Sequence, residues 1–278
     1  MKKACVIGWP VAQSRSPLIH NYWIHKHGLD AIYEKVAVEP KDLNHFVSNF
    51  KNSGLVGCNV TVPHKENVFN AIANIDEPSR RLGALNTLYI RNGIIHGTNT
   101  DGEGFMANLK QNHPTFGVKD CKAIIIGAGG AAKAIIGALI ESEVREISIV
   151  NRTPERIENL KKQFGTIIKS AGPASSETVF GECDLLINTS SLGMIGQPPL
   201  EIDIDGLPEK AIVADIVYSP LETLFLKAAR LRGNPTLEGL GMLLHQAVRG
   251  FELWFGVKPE VTTELRDLVA ADVKKANA

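Results

Sequence analysis

The sequence predicts an α/β protein of two domains, and three observations carry that prediction. The chain has 278 residues, which is enough for two domains of ordinary size. Short apolar runs alternate with stretches of helical periodicity, a pattern that indicates largely parallel sheets built from βαβ units. One apolar run, at 122–126, leads directly into a glycine-rich turn followed by a helix. We expect the second domain to open ahead of this run, at about Gly104.

Composition narrows the classes of partner. Thirty basic and thirty acidic residues cancel, so no electrostatic argument favours nucleic acid or an anionic membrane surface. A small molecule met in a local site is the expected partner. The four cysteines are scattered and form no C-x-x-C pair, as in the reduced core of a cytoplasmic protein. The chain also contains no apolar run of 18 residues and no signal-peptide pattern, so we expect a cytoplasmic location.

The first helix follows a strand at about 4–8 and a pair of serines. Ser16 suits an N-cap and Pro17 suits the first helical position, with Gly28 ending the helix. That explains Ser16 but leaves Ser14 without a role. Two hydroxyl groups at a helix N-terminus could receive a carboxylate, and capping alone remains the alternative. A strand over 31–38 and an amphipathic helix over 40–53 should follow.

The stretch 57–65 reads as a buried strand that runs into a helix whose first residue is Pro63. Lys65 then lies in the first helical turn, where the helix dipole disfavours a cation by roughly 0.3–1 kcal/mol. Lys65 is therefore either an ordinary solvated lysine or a lysine placed to meet a substrate oxygen.

Residues 86–99 carry a strong hairpin signal, because Asn92-Gly93 between two apolar runs suits a type I′ turn. A two-residue turn places Asn86 opposite Asn99, and Asp101 follows just beyond the same end. Asp101 could act at this sheet edge or could simply cap the helix that starts there.

The glycine-rich turn matches the dinucleotide fingerprint G-x-G-x-x-A in the required order of strand, turn and helix. The residues concerned are Gly127, Ala128, Gly129, Gly130 and Ala131, with Ala132 as the final small residue. At the end of the next strand, an NAD site usually carries an acidic residue. This chain has Asn151, Arg152 and Thr153, with Arg156 one turn later. A guanidinium would pair with a 2′-phosphate, so the sequence predicts NADP; a solvated arginine is the alternative.

Two further buried strands, 184–188 and 211–215, should end at the carboxyl edge of the same sheet, where ligands bind. Their ends carry Thr189 and Ser190, and then 216–220. A helix over 221–232 and a long apolar helix from Gly239 should follow. Gln246 on that last helix is an amide that needs partners, and a ligand could supply them. We predict no metal site, because the histidines lack a supporting ligand set.

Together these motifs resemble the shikimate dehydrogenase family over nearly the whole chain. The stretches that carry the resemblance are Ser14–Pro17, Asn59–Lys65, Gly83–Thr87, Asn99–Gly102, Gly127–Ala132, Asn151–Thr153, Val217–Pro220 and Met242–Ala247. One departure is the run Thr223-Leu224-Phe225-Leu226, where the family is expected to have Thr-Pro-Leu-Leu; it puts the start of the local helix in doubt.

The resemblance implies NADP-linked interconversion of 3-dehydroshikimate and shikimate, with Lys65 and Asp101 as the catalytic pair. The implied substrate-binding residues are Ser14, Ser16, Asn59, Thr61, Asn86, Tyr218 and Gln246. Ile216, Gly239 and Met242 join the cofactor residues named above, including Thr189 and Ser190. The implied fold has an N-terminal α/β substrate domain (1–103, rejoined by 241–278), a Rossmann-type NADP domain (104–240) and a cleft between them. A homodimer is an open option.

Two alternatives remain at this point. The first is a quinate/shikimate dehydrogenase that uses NAD or both cofactors, since the two substrates differ only around the carbon that bears the carboxylate. The second is a non-catalytic nucleotide or metabolite sensor that keeps the fold, because function depends on the site and not on the fold. The presence of both Lys65 and Asp101 favours an enzyme, since a sensor has no need of a proton relay.

Overall fold

The chain forms two compact units, described by a computed structural model over residues 1–171 and 180–277. The first unit comprises Met1–Gly104 and Leu244–Val269, and the second comprises Phe105–Leu243 and Ala270–Ala278. The sequence assigned the whole of 241–278 to the first domain. Of these residues, Leu244–Val269 belong to the first unit, whereas 241–243 and those from Ala270 onward group with the second.

The first unit is built on a mixed sheet of six strands in the order β2-β1-β3-β5-β6-β4. Its elements are β1 (Lys2–Gly8), α1 (Ser16–Lys26), β2 (Ala31–Ala37), α2 (Leu43–Asn49), β3 (Leu55–Val60), α3 (Lys65–Ala71), β4 (Asn74–Ile75), α4 (Glu77–Leu82), β5 (Thr87–Arg91) and β6 (Ile94–Thr98). Short 3-10 turns, Pro40–Asp42 and Phe50–Asn52, flank α2. β1 pairs in parallel with β2 and β3, whereas β3–β5 and β5–β6 are antiparallel. The carboxyl ends of β1 and β3 therefore meet the start of β5 at one edge of the sheet.

The start of α3 differs from the prediction. Pro63 follows a cis peptide bond in a turn, and the helix begins two residues later at Lys65, with His64 as its N-cap. The turn is closed by His64 N–H donating to Thr61 O at 2.9 Å, which delays the helix. Lys65 still lies in the first turn. The helix ends at Ala71, because β4 pairs with β6 immediately afterwards.

The hairpin is confirmed in type and register. Asn92 and Gly93 have φ angles of 52° and 71°, as a type I′ turn requires. Thr87 pairs with Thr98, so the residues just outside this pair, Asn86 and Asn99, lie at the open end of the hairpin. At the first helix the prediction was one residue late, since Arg15 is the N-cap and Ser16 is already helical.

The second unit is a doubly wound sheet in which every pairing is parallel, in the order β12-β11-β10-β7-β8-β9. The remaining elements are α5 (Asp101–Asn112), β7 (Lys122–Ile126), α6 (Gly130–Glu141), β8 (Glu146–Val150), α7 (Pro154–Phe164), β9 (Ile168–Ser170), β10 (Leu185–Asn188), β11 (Ile212–Asp215), α8 (Leu224–Leu231), β12 (Thr236–Leu237), α9 (Gly239–Phe255) and α10 (Thr263–Ala276). Alternate residues of β7 enter two separate apolar clusters, Ala123 and Ile125 in one and Ile124 and Ile126 in the other. Both faces of the sheet are therefore covered, and the predicted α/β class is confirmed.

The strand order reverses between β7 and β10, which creates a topological switch point at their carboxyl ends. In open α/β sheets a ligand crevice forms at that position. Across the described parts of the chain, no helix is both long and apolar enough to cross a membrane.

Candidate functional site

Lys65 and Asp101 open two different helices of the fold and meet in an ion pair. Lys65 Nζ lies 2.6 Å from Asp101 Oδ2, and the side chains are 30% and 12% exposed. A freely solvated surface lysine would not be held against a nearly buried carboxylate. Because the Lys65 side chain keeps part of its surface open, its ammonium group can also meet a bound molecule.

Asn86 holds the other oxygen of the same carboxylate. Its Nδ2 donates to Asp101 Oδ1 at 2.8 Å and to Thr100 Oγ1 at 3.0 Å, and its Oδ1 accepts from Thr100 N–H at 2.9 Å. Asp101 is therefore fixed through both of its oxygens. The helix start is served instead by Asn99, whose Oδ1 accepts from Asp101 N–H at 3.0 Å. Simple capping does not account for the Asp101 side chain.

Asn59 lies behind Asn86 and is only 5% exposed. Its Nδ2 donates to Asn86 O at 3.2 Å and to Thr87 Oγ1 at 3.1 Å, and Thr87 Oγ1 in turn donates to Asn86 Oδ1 at 2.9 Å. The Tyr33 hydroxyl donates to Asn59 Oδ1 at 2.6 Å. Sequence reasoning missed Thr87, Thr100 and Tyr33. The repeated Asn-Thr pairs at the open end of the hairpin were a usable signal for the two threonines, whereas Tyr33 gave none.

The remaining predicted substrate residues of the first unit lie at the start of α1, just after β3 and in α9. Ser14 Oγ accepts from Ser16 N–H at 3.3 Å, in the turn that opens α1. Thr61 follows β3, and its N–H donates to Ile7 O at 2.9 Å. Gln246 contributes its backbone oxygen, which accepts from Thr100 Oγ1 at 2.8 Å. A Cβ on Gly104 would lie 2.6 Å from Gln246 N, so glycine is required where α5 meets α9.

The second unit contains a cavity of about 650 Å³ at the carboxyl ends of β7, β8 and β10. The predicted cofactor residues that line it are Gly127, Ala128, Gly129, Asn151, Arg152, Thr153, Arg156, Thr189 and Ser190. Gly127 has a φ of 108°, and a Cβ there would lie 2.8 Å from Thr189 Oγ1. Both the backbone conformation and the close contact therefore require glycine at this position. Leu200, Glu201 and Ile202 form a further wall that no sequence signal indicated.

The other predicted cofactor residues lie outside the lining that the described residues form. Gly130 and Ala131 open α6 directly after the turn. A Cβ on Gly239 would lie 2.4 Å from Ile216 O, so these two segments pack backbone against backbone. Met242 is buried in the apolar core of this unit.

A buried carboxyl group ties together the strand ends beside the cavity. Asp215, 2% exposed, accepts from Asn188 Nδ2 at 2.9 Å, Val217 N–H at 2.9 Å and Thr223 Oγ1 at 2.7 Å. Burial raises the pKa of Asp215 to about 6, against the opposing effect of these donors. Asn188 Oδ1 accepts from Ser190 Oγ at 2.7 Å, which holds Ser190 at the cavity. Asp215 thus anchors both the Ser190 loop and the segment that leads to Tyr218.

Thr223 settles the start of α8. Its Oγ1 accepts from Leu226 N–H at 3.3 Å, so Thr223 is the N-cap and the helix begins at Leu224, not at 221 as predicted. The departure at 223–226 does not disturb this helix start, since the cap is supplied by the threonine.

As for metals, no group of three His, Cys, Asp or Glu side chains within 1–171 or 180–277 is arranged to hold an ion.

Three family models match the chain in order. They are the shikimate dehydrogenase substrate binding domain over residues 6–88, shikimate / quinate 5-dehydrogenase over 109–195 and the shikimate 5'-dehydrogenase C-terminal domain over 239–263. Shikimate dehydrogenase (NADP(+)) from Methylocella silvestris is 49% identical over 274 residues, covering 99% of this chain and 98% of that protein.

Solved structures are similar over the same extent. Shikimate 5-dehydrogenase from Thermus thermophilus, in complex with NADP(H) and shikimate, is 30% identical with a TM-score of 0.85, covering 99% of this chain and 100% of that chain. Quinate dehydrogenase from Corynebacterium glutamicum, in complex with NAD, is 28% identical with a TM-score of 0.88, covering 97% of this chain and 99% of that chain.

Proposed function

The chain belongs to the shikimate dehydrogenase family, and on that premise we propose that it catalyses the NADP-dependent interconversion of 3-dehydroshikimate and shikimate. This reaction serves chorismate and aromatic amino-acid biosynthesis. The observation that carries the proposal is the contact of 2.6 Å between Lys65 Nζ and Asp101 Oδ2, held from behind by Asn86. An ammonium group that is fixed in position, yet partly exposed, is suited to proton transfer to an oxygen attached to the substrate ring.

The second unit fits the cofactor. The cavity of about 650 Å³ combines a tight glycine turn, the N-terminus of α6 just beyond it and two arginines, Arg152 and Arg156. Backbone N–H groups at a helix N-terminus suit a pyrophosphate, and a guanidinium suits a 2′-phosphate. NADP, when bound, supplies hydride chemistry at its nicotinamide ring. The protein orients the substrate and moves the proton. We assign substrate binding to the first unit and cofactor binding to the second.

In the reductive direction Lys65 donates a proton as negative charge develops on the carbonyl oxygen, and in the oxidative direction it takes that proton back. Asp101 orients the ammonium group and Asn86 orients Asp101. We assign the substrate carboxylate to Ser14, Ser16 and Tyr218. We assign binding of the ring and its hydroxyl groups to Thr61, Asn86 and Gln246, with Asn59 behind these residues.

Four parallel assays test the proposal: shikimate or quinate, each with NADP or NAD, followed by formation of the reduced nicotinamide. We expect the highest kcat/KM with shikimate and NADP. The likeness to a quinate dehydrogenase makes quinate with NAD the second candidate. A higher kcat/KM with that pair would overturn the assignment of substrate and cofactor.

A lysine variant separates the enzyme from a nucleotide sensor. Lys65→Ala should lower kcat by orders of magnitude and leave NADP binding, measured by calorimetry, unchanged. Lys41→Ala is a matched control, because Lys41 is exposed and pairs with Glu39 in the same unit. If Lys65→Ala turned over as fast as Lys41→Ala, the proton-transfer role would be refuted. A wild-type chain that bound NADP but turned over neither substrate would support the sensor.

Two further features of the protein are proposals. Cys5, Cys58, Cys121 and Cys183 are all buried free thiols, which supports a reducing compartment and hence a cytoplasmic location. A homodimer stays a prediction, to be checked by light scattering on the purified protein.

A further inference from the structure

Tyr33 is a buried tyrosine whose hydroxyl group is hydrogen-bonded to a predicted substrate residue. It lies in β2 and is 1% exposed. The hydroxyl donates to Asn59 Oδ1 at 2.6 Å. Tyr33 and Asn59 are 26 positions apart, so this hydrogen bond links β2 to the end of β3.

The surroundings of the Tyr33 ring are apolar and aromatic. His20 stacks on it with ring centroids 4.2 Å apart, and Trp254 lies 5.8 Å away. Burial lowers the pKa of His20 to about 3, so its ring is neutral at ordinary pH. A phenylalanine would fill this space without bringing a polar group into it. A hydroxyl group here has to be hydrogen-bonded, and its partner is Asn59 of the candidate site.

Further hydrogen bonds connect Asn59 to Asp101. Both hydrogens of its Nδ2 are used, one on Asn86 O and one on Thr87 Oγ1. Thr87 in turn donates to Asn86 Oδ1, and Asn86 donates to Asp101 Oδ1. A continuous row of hydrogen bonds thus runs from Tyr33 to the catalytic carboxylate through buried groups. In a low-dielectric interior such a network limits the motion of each member.

We propose that Tyr33 is a positioning residue for substrate binding, and that Asn59 acts through its neighbours and not by direct contact with the substrate ring. The Tyr33 hydroxyl fixes Asn59, which backs Asn86 and Asp101. The inference rests on the proposed function, because it assigns these residues to the shikimate side of that reaction.

Tyr33→Phe tests the role, since it removes one oxygen and keeps the stacked ring. Loss of a typical neutral hydrogen bond corresponds to about a 3- to 10-fold change in equilibrium. We expect the KM for shikimate to rise by about that factor, with a smaller fall in kcat and an unchanged KM for NADP. Calorimetry with shikimate alone should show the same loss of affinity, independently of turnover.

Tyr22→Phe is the matched control. Tyr22 lies in α1 of the same unit, and its hydroxyl donates to Glu264 Oε2 at 2.7 Å in a partly exposed position. Thr262 Oγ1 and Lys26 Nζ also lie within hydrogen-bond distance of this hydroxyl, at 3.5 and 3.4 Å. Tyr22→Phe therefore removes at least as many hydrogen bonds as Tyr33→Phe, but we expect both KM values to stay within twofold of wild type.

Thermal unfolding separates positioning from general destabilisation. A purely structural role predicts that Tyr33→Phe lowers Tm while both KM values stay unchanged or rise together, and either result overturns the inference. Should Tyr33→Phe fail to fold, Asn59→Ala must show the same selective rise in KM for shikimate, or the inference fails. A wild-type protein that neither binds nor turns over shikimate refutes the proposed function. A wild-type protein that does both, beside a Tyr33→Phe that matches Tyr22→Phe, refutes only the role of Tyr33.

Discussion

Replacement of Asp101 by asparagine is the sharpest perturbation of the proposed proton-transfer site, because the shape of the side chain is kept. Asp101 Oδ2 accepts from Lys65 Nζ and Oδ1 accepts from Asn86 Nδ2, at 2.6 and 2.8 Å. Both neighbours are donors. In either orientation the new amide nitrogen must therefore face a donor, and one of the two hydrogen bonds becomes a repulsive contact.

The magnitude follows from the kind of bond that is lost. A hydrogen bond to a charged group contributes about 1.5–3 kcal/mol. Each 1.36 kcal/mol of barrier corresponds to a tenfold change in rate, so we expect kcat to fall by about 10- to 150-fold. If the amide nitrogen turns toward Asn86 instead, the KM for shikimate should rise as well, because Asn86 then loses its fixed orientation.

The assay is steady-state oxidation of shikimate at saturating NADP, with NADP affinity measured separately by calorimetry and expected to be unchanged. Asp76→Asn is the matched control. Asp76 Oδ1 caps α4 by accepting from Ser79 N–H at 2.9 Å, and asparagine caps a helix as well as aspartate does. A kcat for Asp101→Asn within twofold of the Asp76→Asn value would refute the reasoning.

Three further predictions concern the cofactor and two buried titratable groups. Arg152→Ala should lower kcat/KM with NADP by about 10- to 100-fold through loss of a charge-assisted contact, and leave kcat/KM with NAD within twofold; an equal loss with both cofactors would contradict the assignment. The pKa of Asp215 is raised from 3.8 to about 6, so the stability that its protonated form contributes is complete below about pH 4 and is lost as pH rises through 6. Asp215→Asn does not titrate, so urea unfolding at successive pH values should show its stability relative to wild type growing by about 3 kcal/mol between pH 4 and pH 7; a constant difference would contradict this. The pKa of His20 is lowered from 6.5 to about 3, which gives the opposite sign: stability is present above pH 6.5 and is lost as pH falls toward 3. Between pH 6.5 and pH 4 the free energy of unfolding of wild type should therefore fall by about 3 kcal/mol more than that of His20→Phe in the same unfolding series. Parallel plots of unfolding free energy against pH for the two proteins would refute this prediction.

Much of the architecture could be predicted from the sequence because its signals are local. Alternating periodicity indicated the two α/β units, and the run from Gly127 to Ala132 indicated the turn that lines the cavity. The hairpin with Asn92-Gly93 correctly brought Asn86 to the end of the sheet where Asp101 follows. Turn type, strand pattern and helix start are properties of a few neighbouring residues, so a single sequence carries them.

The errors at helix starts arise from specific contacts, a local turn in one case and a buried partner in the other. Pro63 suited the first position of a helix, but the turn closed by His64 N–H on Thr61 O comes first and delays the helix to Lys65. The helix predicted from 221 waits for the cap at Thr223, which also donates to the buried Asp215. In both cases a contact decided between positions that propensity alone ranked as similar.

The sequence by itself thus determined the fold class, the dinucleotide turn and the residue types of the candidate site. Only the tertiary structure decided how those residues are held: Lys65 against Asp101, Asn59 with its amide hydrogens already used, and Tyr33 linked to Asn59. These contacts join residues that are far apart along the chain, and their strength depends on burial. A local sequence pattern specifies neither which distant residues come together nor which groups are shielded from water, because both are set by the packing of strands and helices.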